Sequence, residues 1–277
     1  MADTINLREL LLFYADSGVD DALMDEAVDR FAATEQPVIP ASATEVSAPQ
    51  PRATRAADRP TPAAPTRAQT SVPDEGQSER ARLLAREAMS LEALREAMQG
   101  FDGCNLALTA KSLVFGEGDV AADILFIGDA PGRDEDIEGR PYVGRSGQLL
   151  DRMMAAIGLD RSNAYLAHVI PWRPPGNRAP TAIEIEICRP FLKRQIELVQ
   201  PKVLVPLGDL ATKVMSRSPE SIVRVRGKWW QCKIGEGSIT ALSTFDPDYL
   251  LRNPPHKKLA WRDLLEIKAK LGEVSPR

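Results

Sequence analysis

Near the C-terminus an apolar run stops at a pair of acids: residues 239–253 read ITALSTFDPDYLLRN, with Asp246 and Asp248 either side of Pro247. A third acid, Asp129, ends the run DILFIGD and sits inside Gly128-Asp129-Ala130-Pro131-Gly132. His168 lies near the end of another run, 164–170, followed by Pro171-Trp172-Arg173-Pro174-Pro175. Carboxylates at such points can give or take a proton, orient water, or steady a developing positive charge. Several together can hold a divalent cation through oxygen. Glycines beside them let the backbone approach a ligand closely.

Those residues need a frame, and the hydrophobic pattern supplies one. Apolar strands at 123–129, 164–170, 202–208 and 238–245 alternate with helices at 146–157, 181–199, 209–215 and 258–271. This alternation predicts a three-layer α/β/α fold around a central, mostly parallel, four-stranded sheet. In such sheets ligands bind at the carboxyl ends of the strands. The four candidate segments, GDAPG, HVIPWRPP, GDLA and DPDYLLR, all fall there.

Outside this body the chain changes character. Leu7, Leu10, Leu11 and Tyr14 repeat at helical spacing, so residues 1–35 are expected to form a helical segment, either packed as a hairpin or docking a protein partner. Residues 36–78 are dense in Pro, Ala, Thr and Ser and read as a disordered, extended linker. The folded domain is expected over 79–272.

Charge follows the same division. Residues 1–100 carry 10 Lys+Arg against 17 Asp+Glu, and the remainder 25 against 22. The acidity therefore lies in the first third, and the body is mildly basic, compatible with a phosphate backbone. Three scattered cysteines, Cys104, Cys188 and Cys232, argue against a disulfide framework. No run approaches the ~20 apolar residues of a membrane span, and the N-terminus lacks a secretory h-region. A cytoplasmic location is expected.

From Gly128 the chain reads G-D-A-P-G-x-x-E-D-x-x-G-x-P-Y-V-G-x-S-G-x-L-L, and this resembles the first motif of the family 4 uracil-DNA glycosylases. The likeness continues through R-P-P-G-N-R-x-P-T at 173–181, Leu207-Gly208, Val225-Arg226-Gly227 and Tyr249-Leu250-Leu251-Arg252-Asn253. It spans about 101–271 and leaves the N-terminal third aside. The resemblance implies a DNA-repair enzyme, working at the nucleoid, that hydrolyses the N-glycosidic bond of uracil or another deaminated base flipped out of single- or double-stranded DNA. A DNA-binding relative that has lost catalysis is the alternative, and a Mg²⁺-dependent hydrolase using Asp129, Asp246 and Asp248 is a third reading.

The resemblance also implies roles. Gly128, Ala130 and Gly132 would form a backbone cradle and Asp129 would orient water. Tyr142 would stack on the base where the family has Phe, and Leu250, Leu251 and Arg252 would supply the DNA wedge and a phosphate contact. Two pocket positions depart from the pattern. His168 stands where the family places Asn, and Asp246 where it places the His of His-Pro-Ser. Asp246 is expected to be catalytic, as a base, a cation stabiliser or, when protonated, a donor. The family's iron–sulfur cluster uses four cysteines, but here Phe101 and Trp172 occupy two of those positions, and only Cys104 and Cys188 remain. No cofactor and no metal are expected.

Overall fold

The computed structural model describes residues 75–274. The segment expected to be helical at 1–35, and the linker up to residue 74, lie outside them. Helix α1 (Glu75–Glu87) takes the last residues of the expected linker, 75–78. It is followed by α2 (Leu91–Gln99), capped by the Ser90 hydroxyl accepting from Ala93 N–H, and the short α3 (Asn105–Thr109).

The sheet begins with β1 (Glu117–Gly118) and β2 (Ile124–Gly128), then come α4 (Arg133–Glu138) and α5 (Gly144–Ala155). Next are β3 (Tyr165–His168), α6 (Ala182–Val199), β4 (Val203–Pro206), α7 (Asp209–Ser216) and α8 (Ile222–Val225). The hairpin β5 (Trp229–Ile234) and β6 (Gly237–Leu242) leads to α9 (Pro247–Arg252) and the closing α10 (Lys257–Val274). Helix α6 starts with a reciprocal cap: the Thr181 hydroxyl accepts from Glu184 N–H, and Glu184 accepts from Thr181 N–H.

The strands form one mixed sheet of order β1-β3-β2-β4-β6-β5. The four expected strands are its parallel centre. Each edge is antiparallel, with β1 on β3 and β5 on β6. Along β2, Leu125 and Ile127 face one core, and Ile124 and Phe126 face the other. A strand buried on both faces must be apolar throughout, which explains the unbroken ILFIG. The first core takes Ala81, Leu94, Phe191 and Ile196 from α1, α2 and α6. The second takes Leu150 and Met154 from α5 and Leu264 and Ile267 from α10. The result is the expected three-layer α/β/α arrangement. Among the described residues, no helix is long and apolar enough to cross a membrane.

The chain leaves β2 towards β3 on one side and later returns to place β4 on the other. Connections that part in this way open a crevice above the carboxyl ends of β2 and β4. The residues singled out from the sequence converge around that crevice.

Candidate active site

A cavity of about 650 Å³ occupies this end of the sheet, lined on one side by Asp129, Ala130, Gly132 and Gly208, and on another by Tyr142 and His168. Asp129 follows β2, and its Oδ1 accepts from the Ala211 N–H at the start of α7, 2.8 Å away. Burial pushes its carboxyl up to about 6, against the pull of the Ala211 and Leu210 N–H groups and of His168. Asp246 comes from the opposite strand end, as the N-cap of α9, and its Oδ1 accepts from Asp248 N–H at 2.8 Å. Burial and the neighbouring Asp129 push the Asp246 carboxyl up to about 7.

Gly208 is what lets these two acids share the space. It has φ +97°, and a Cβ placed there would lie 3.2 Å from both Asp129 Oδ2 and Asp246 Cβ. A side chain would press on both acids and force a strained backbone. The tip of β6 is anchored from below. Gly208 N–H donates to Thr244 O, and the Thr244 hydroxyl donates to Asp263 Oδ2 at 2.6 Å. Arg226, of the Val-Arg-Gly motif, clamps the Asp263 carboxylate and lies over the Phe245 ring, 5.6 Å from its centroid. That motif therefore acts on the loop carrying Asp246 from behind.

On the facing wall, Tyr142 stacks on His168, with ring centroids 4.9 Å apart and planes 20° from parallel. Both are buried, at 4% and 5% exposure. The register of β2 on β3 puts His168 directly beside Gly128. A Cβ on Gly128 would come within 2.1 Å of the Tyr142 hydroxyl. Gly128 is buried and makes room for Tyr142, while Ala130 and Gly132 reach the cavity. Glu135, which sequence reading left without a role, accepts from the N–H groups of Gly132 and Tyr142 and approaches His168. Asn177 and Arg178, from the R-P-P-G-N-R stretch, complete the rim. Their motif was visible in the sequence, but its place on the cavity wall was not.

The C-terminal segment corrects two expectations. Residues 247–252 form the short helix α9, and the leucine pair is split by it. Leu250 is 1% exposed and belongs to the second core, so it cannot act as a wedge in this arrangement. Leu251 is partly exposed and lines a smaller neighbouring cavity with Arg252. Asp248 lines the same cavity as the other two acids, but it is exposed and its carboxylate is engaged by Arg252 at 2.7 Å. Among the described residues, no group of three or more His, Cys, Asp or Glu side chains is placed to hold a metal ion.

The four positions that the resemblance assigns to a cluster also meet in space. Phe101 stacks on Trp172 with centroids 6.3 Å apart and packs edge-on against Phe191 at 5.2 Å. Cys104 and Cys188 are wholly buried in the same core as these rings. Two thiols and two aromatic rings do not fit the donor set of a four-thiolate cluster. Cys232 lies elsewhere, against Met215 O at 3.6 Å.

Comparison with known proteins agrees with this geometry. The model of the uracil DNA glycosylase superfamily matches residues 115–265. The type-4 uracil-DNA glycosylase of Saccharolobus solfataricus is 38% identical over 188 residues, 66% of this chain and 87% of that protein. That of Sulfurisphaera tokodaii is 40% identical over 184 residues, 65% of this chain and 84% of the relative. That of Thermotoga maritima is 38% identical over 185 residues, 65% of this chain and 93% of the relative. The matches fall on the segments that build the cavity, and the chain belongs to the uracil-DNA glycosylase superfamily as a member of its type-4 family.

Proposed function

We propose that this chain hydrolyses the N-glycosidic bond of uracil flipped out of DNA, with Asp129 and Asp246 dividing the acid–base work. The observation that carries this reading is the meeting of two half-buried carboxyls, raised to about 6 and about 7, beside Gly208 in the cavity that the Tyr142–His168 stack also lines. Burial raises both carboxyls and Asp129 raises Asp246 further, so the pair shares a proton near neutrality. With that proton on Asp246, Asp129 is the carboxylate that accepts from Ala211 N–H, orients a water and balances the positive charge that grows on the sugar. The water oxygen bonds to C1′ as one of its protons passes to Asp129, and the bond from C1′ to the base nitrogen breaks. Asp246 in its protonated form donates towards the base as it leaves with the electron pair. An ionised Asp246 would repel that anion, so the proton matters. Tyr142 offers a π-face to the base, Leu251 fills the vacated stack, and Arg252 and the mildly basic body meet the phosphates.

The test is strand cleavage at abasic sites after incubation with single-stranded and duplex DNA carrying one uracil, hypoxanthine or xanthine. Cleavage that EDTA does not alter is expected. DNA binding without cleavage at any base would favour the catalytically impaired relative instead, and loss of activity in EDTA would favour the Mg²⁺ reading.

We infer further that packing replaces the family's cluster in this chain. Phe101 and Trp172 are 2% and 3% exposed and fill the positions of two ligands with apolar bulk. Purified protein is expected to be colourless and free of stoichiometric iron, by visible absorbance and metal analysis. An iron-loaded, coloured preparation would sink this inference.

A further inference from the structure

A second cavity, of about 340 Å³, lies between α1, α6 and the turn that follows α7. It shares no lining residue with the crevice. Pro180 lines the crevice just before α6 begins, and Arg189 and Lys193 lie further along that helix. At about 1.5 Å per residue they stand roughly 13 and 20 Å from Pro180 along the axis. Helical spacing builds the cluster. Ile187, Phe191 and Ile196 turn one face of α6 into the first core, and Arg189, Lys193 and Glu197, spaced by four, share another. Arg82 and Arg86 repeat that spacing on α1, and Arg194 and Arg217 complete the basic lining.

Six cations therefore line the cavity against two acids, Glu186 and Glu197. Both acids are engaged within their own helix: Glu186 pairs with Arg189 at 2.7 Å, and Glu197 with Arg194 at 3.1 Å. Arg82 pairs with Glu79, outside the lining. The side chains of Arg86, Lys193 and Arg217 form no ion pair or hydrogen bond among the described residues. Like charges gathered in a concave surface raise the local potential for an anion. The crevice has the opposite balance. Asp129, Glu135, Asp209, Asp246 and Asp248 line it against Arg178 and Arg252, and the whole chain carries a net charge of −4. A polyanion that enters so acidic a crevice needs a cationic hold elsewhere. Five of the six cations in the second cavity are arginines, whose planar fork suits phosphate oxygens.

We propose that this cavity is a second DNA-binding site, which takes backbone phosphates of an undamaged stretch while the crevice holds the flipped nucleotide. Phosphate contacts carry no sequence information, so the site holds DNA whatever its bases. Two linked contacts on one strand raise the effective concentration of each for the other.

The choice of DNA as occupant rests on the glycosylase reading, but the test needs no turnover. The full chain is titrated with uracil-free single strands by fluorescence anisotropy across a series of salt concentrations. Arg86→Gln/Lys193→Gln removes two cations without internal partners, and melting curves check that the fold is kept. Affinity should fall about tenfold, and the slope of log K against log salt should flatten by about 1.4, two contacts at about 0.7 each. Arg262→Gln/Lys268→Gln, both exposed on α10, makes the same change of charge and should bind nearly as the native chain does. Equal losses in the two variants would reveal only a general charge effect. Native-like binding in the first would mean that DNA does not reach the cavity. Either result overturns the proposal. Inorganic pyrophosphate is the third probe: tight binding that the first variant abolishes, with DNA affinity unchanged, would give the cavity to a small phosphate ligand instead.

Cleavage of uracil-containing DNA is read separately. If the native chain cleaves and the first variant binds DNA as the native does, only the second site fails. If the first variant loses affinity in a chain that cleaves at no base, the hydrolysis reading fails and this contact stands.

Discussion

Asp129→Asn is expected to lower the single-turnover rate on a uracil-containing strand by about 100- to 10,000-fold, the span of a lost general base. The amide keeps the size of the side chain, and its oxygen can still accept from Ala211 N–H, so the fold is kept. Stability should move the opposite way. The Asp129 carboxyl is raised from 3.8 to about 6 in the folded chain, so the native state holds its proton more tightly than the unfolded one. That contribution is fully present below the unfolded value and is lost as pH rises through about 6. At neutral pH the ionised acid is therefore a net cost. Removing it should stabilise the protein by about 1–3 kcal/mol, which is a few degrees in the melting midpoint for a domain of this size. Parallel rate and melting measurements check both directions. A variant that is slow and also less stable would point to a collapsed pocket rather than a missing base.

The same pair sets a pH profile. Activity that needs Asp129 ionised and Asp246 protonated must fall on the acid side as Asp129 takes up a proton near 6. It must fall on the alkaline side as Asp246 loses its own near 7. The acids interact, so the two limbs belong to the pair. Asp246→Asn should remove the alkaline limb, because an amide has no proton to lose. A profile that rises to a plateau above pH 8 in the native chain would assign Asp246 a role as a base.

Much of this arrangement was legible in the sequence because it depends on local pattern. ILFIG has to be a strand buried on both faces, and the helix after Thr181 announces itself by Thr-x-x-Glu. The parallel centre of the sheet follows from strands alternating with helices. The edges were harder to see. β1 is two residues long, and β5 is the short run WWQCKI. The site divides in the same way. Asp129, Tyr142, His168 and Asp246 could be picked out because each ends an apolar run or falls in a motif. Their partners could not. Glu135 reaches His168 across 33 positions of chain, and no spacing rule encodes that contact. Asp246 could have been recognised as an N-cap, since Asp-Pro-Asp places a capping acid before a proline at the first helical position. Seeing that cap would also have set the helical phase that separates the two leucines.

That phase leads to the second large effect. Leu250→Ala is expected to destabilise the fold by about 2–5 kcal/mol, the cost of emptying a packed leucine site. Leu250 is 1% exposed against the second core, and α9 packs on α5 there. The loss should be nearly the same whether or not DNA is present, and rates on single and double strands should fall together as folded protein is lost. Leu251→Ala should behave differently. Its side chain is only partly buried, so thermal stability should change little. Unstacking a base from a duplex costs a few kcal/mol, and a single strand largely avoids that cost. Without the wedge, the rate on duplex should therefore fall about tenfold relative to the rate on single strands. Melting curves with paired single-strand and duplex assays on both variants check the division. Equal duplex-selective losses for Leu250→Ala and Leu251→Ala, with melting unchanged in both, would mean that α9 unwinds on DNA and delivers both leucines to the stack.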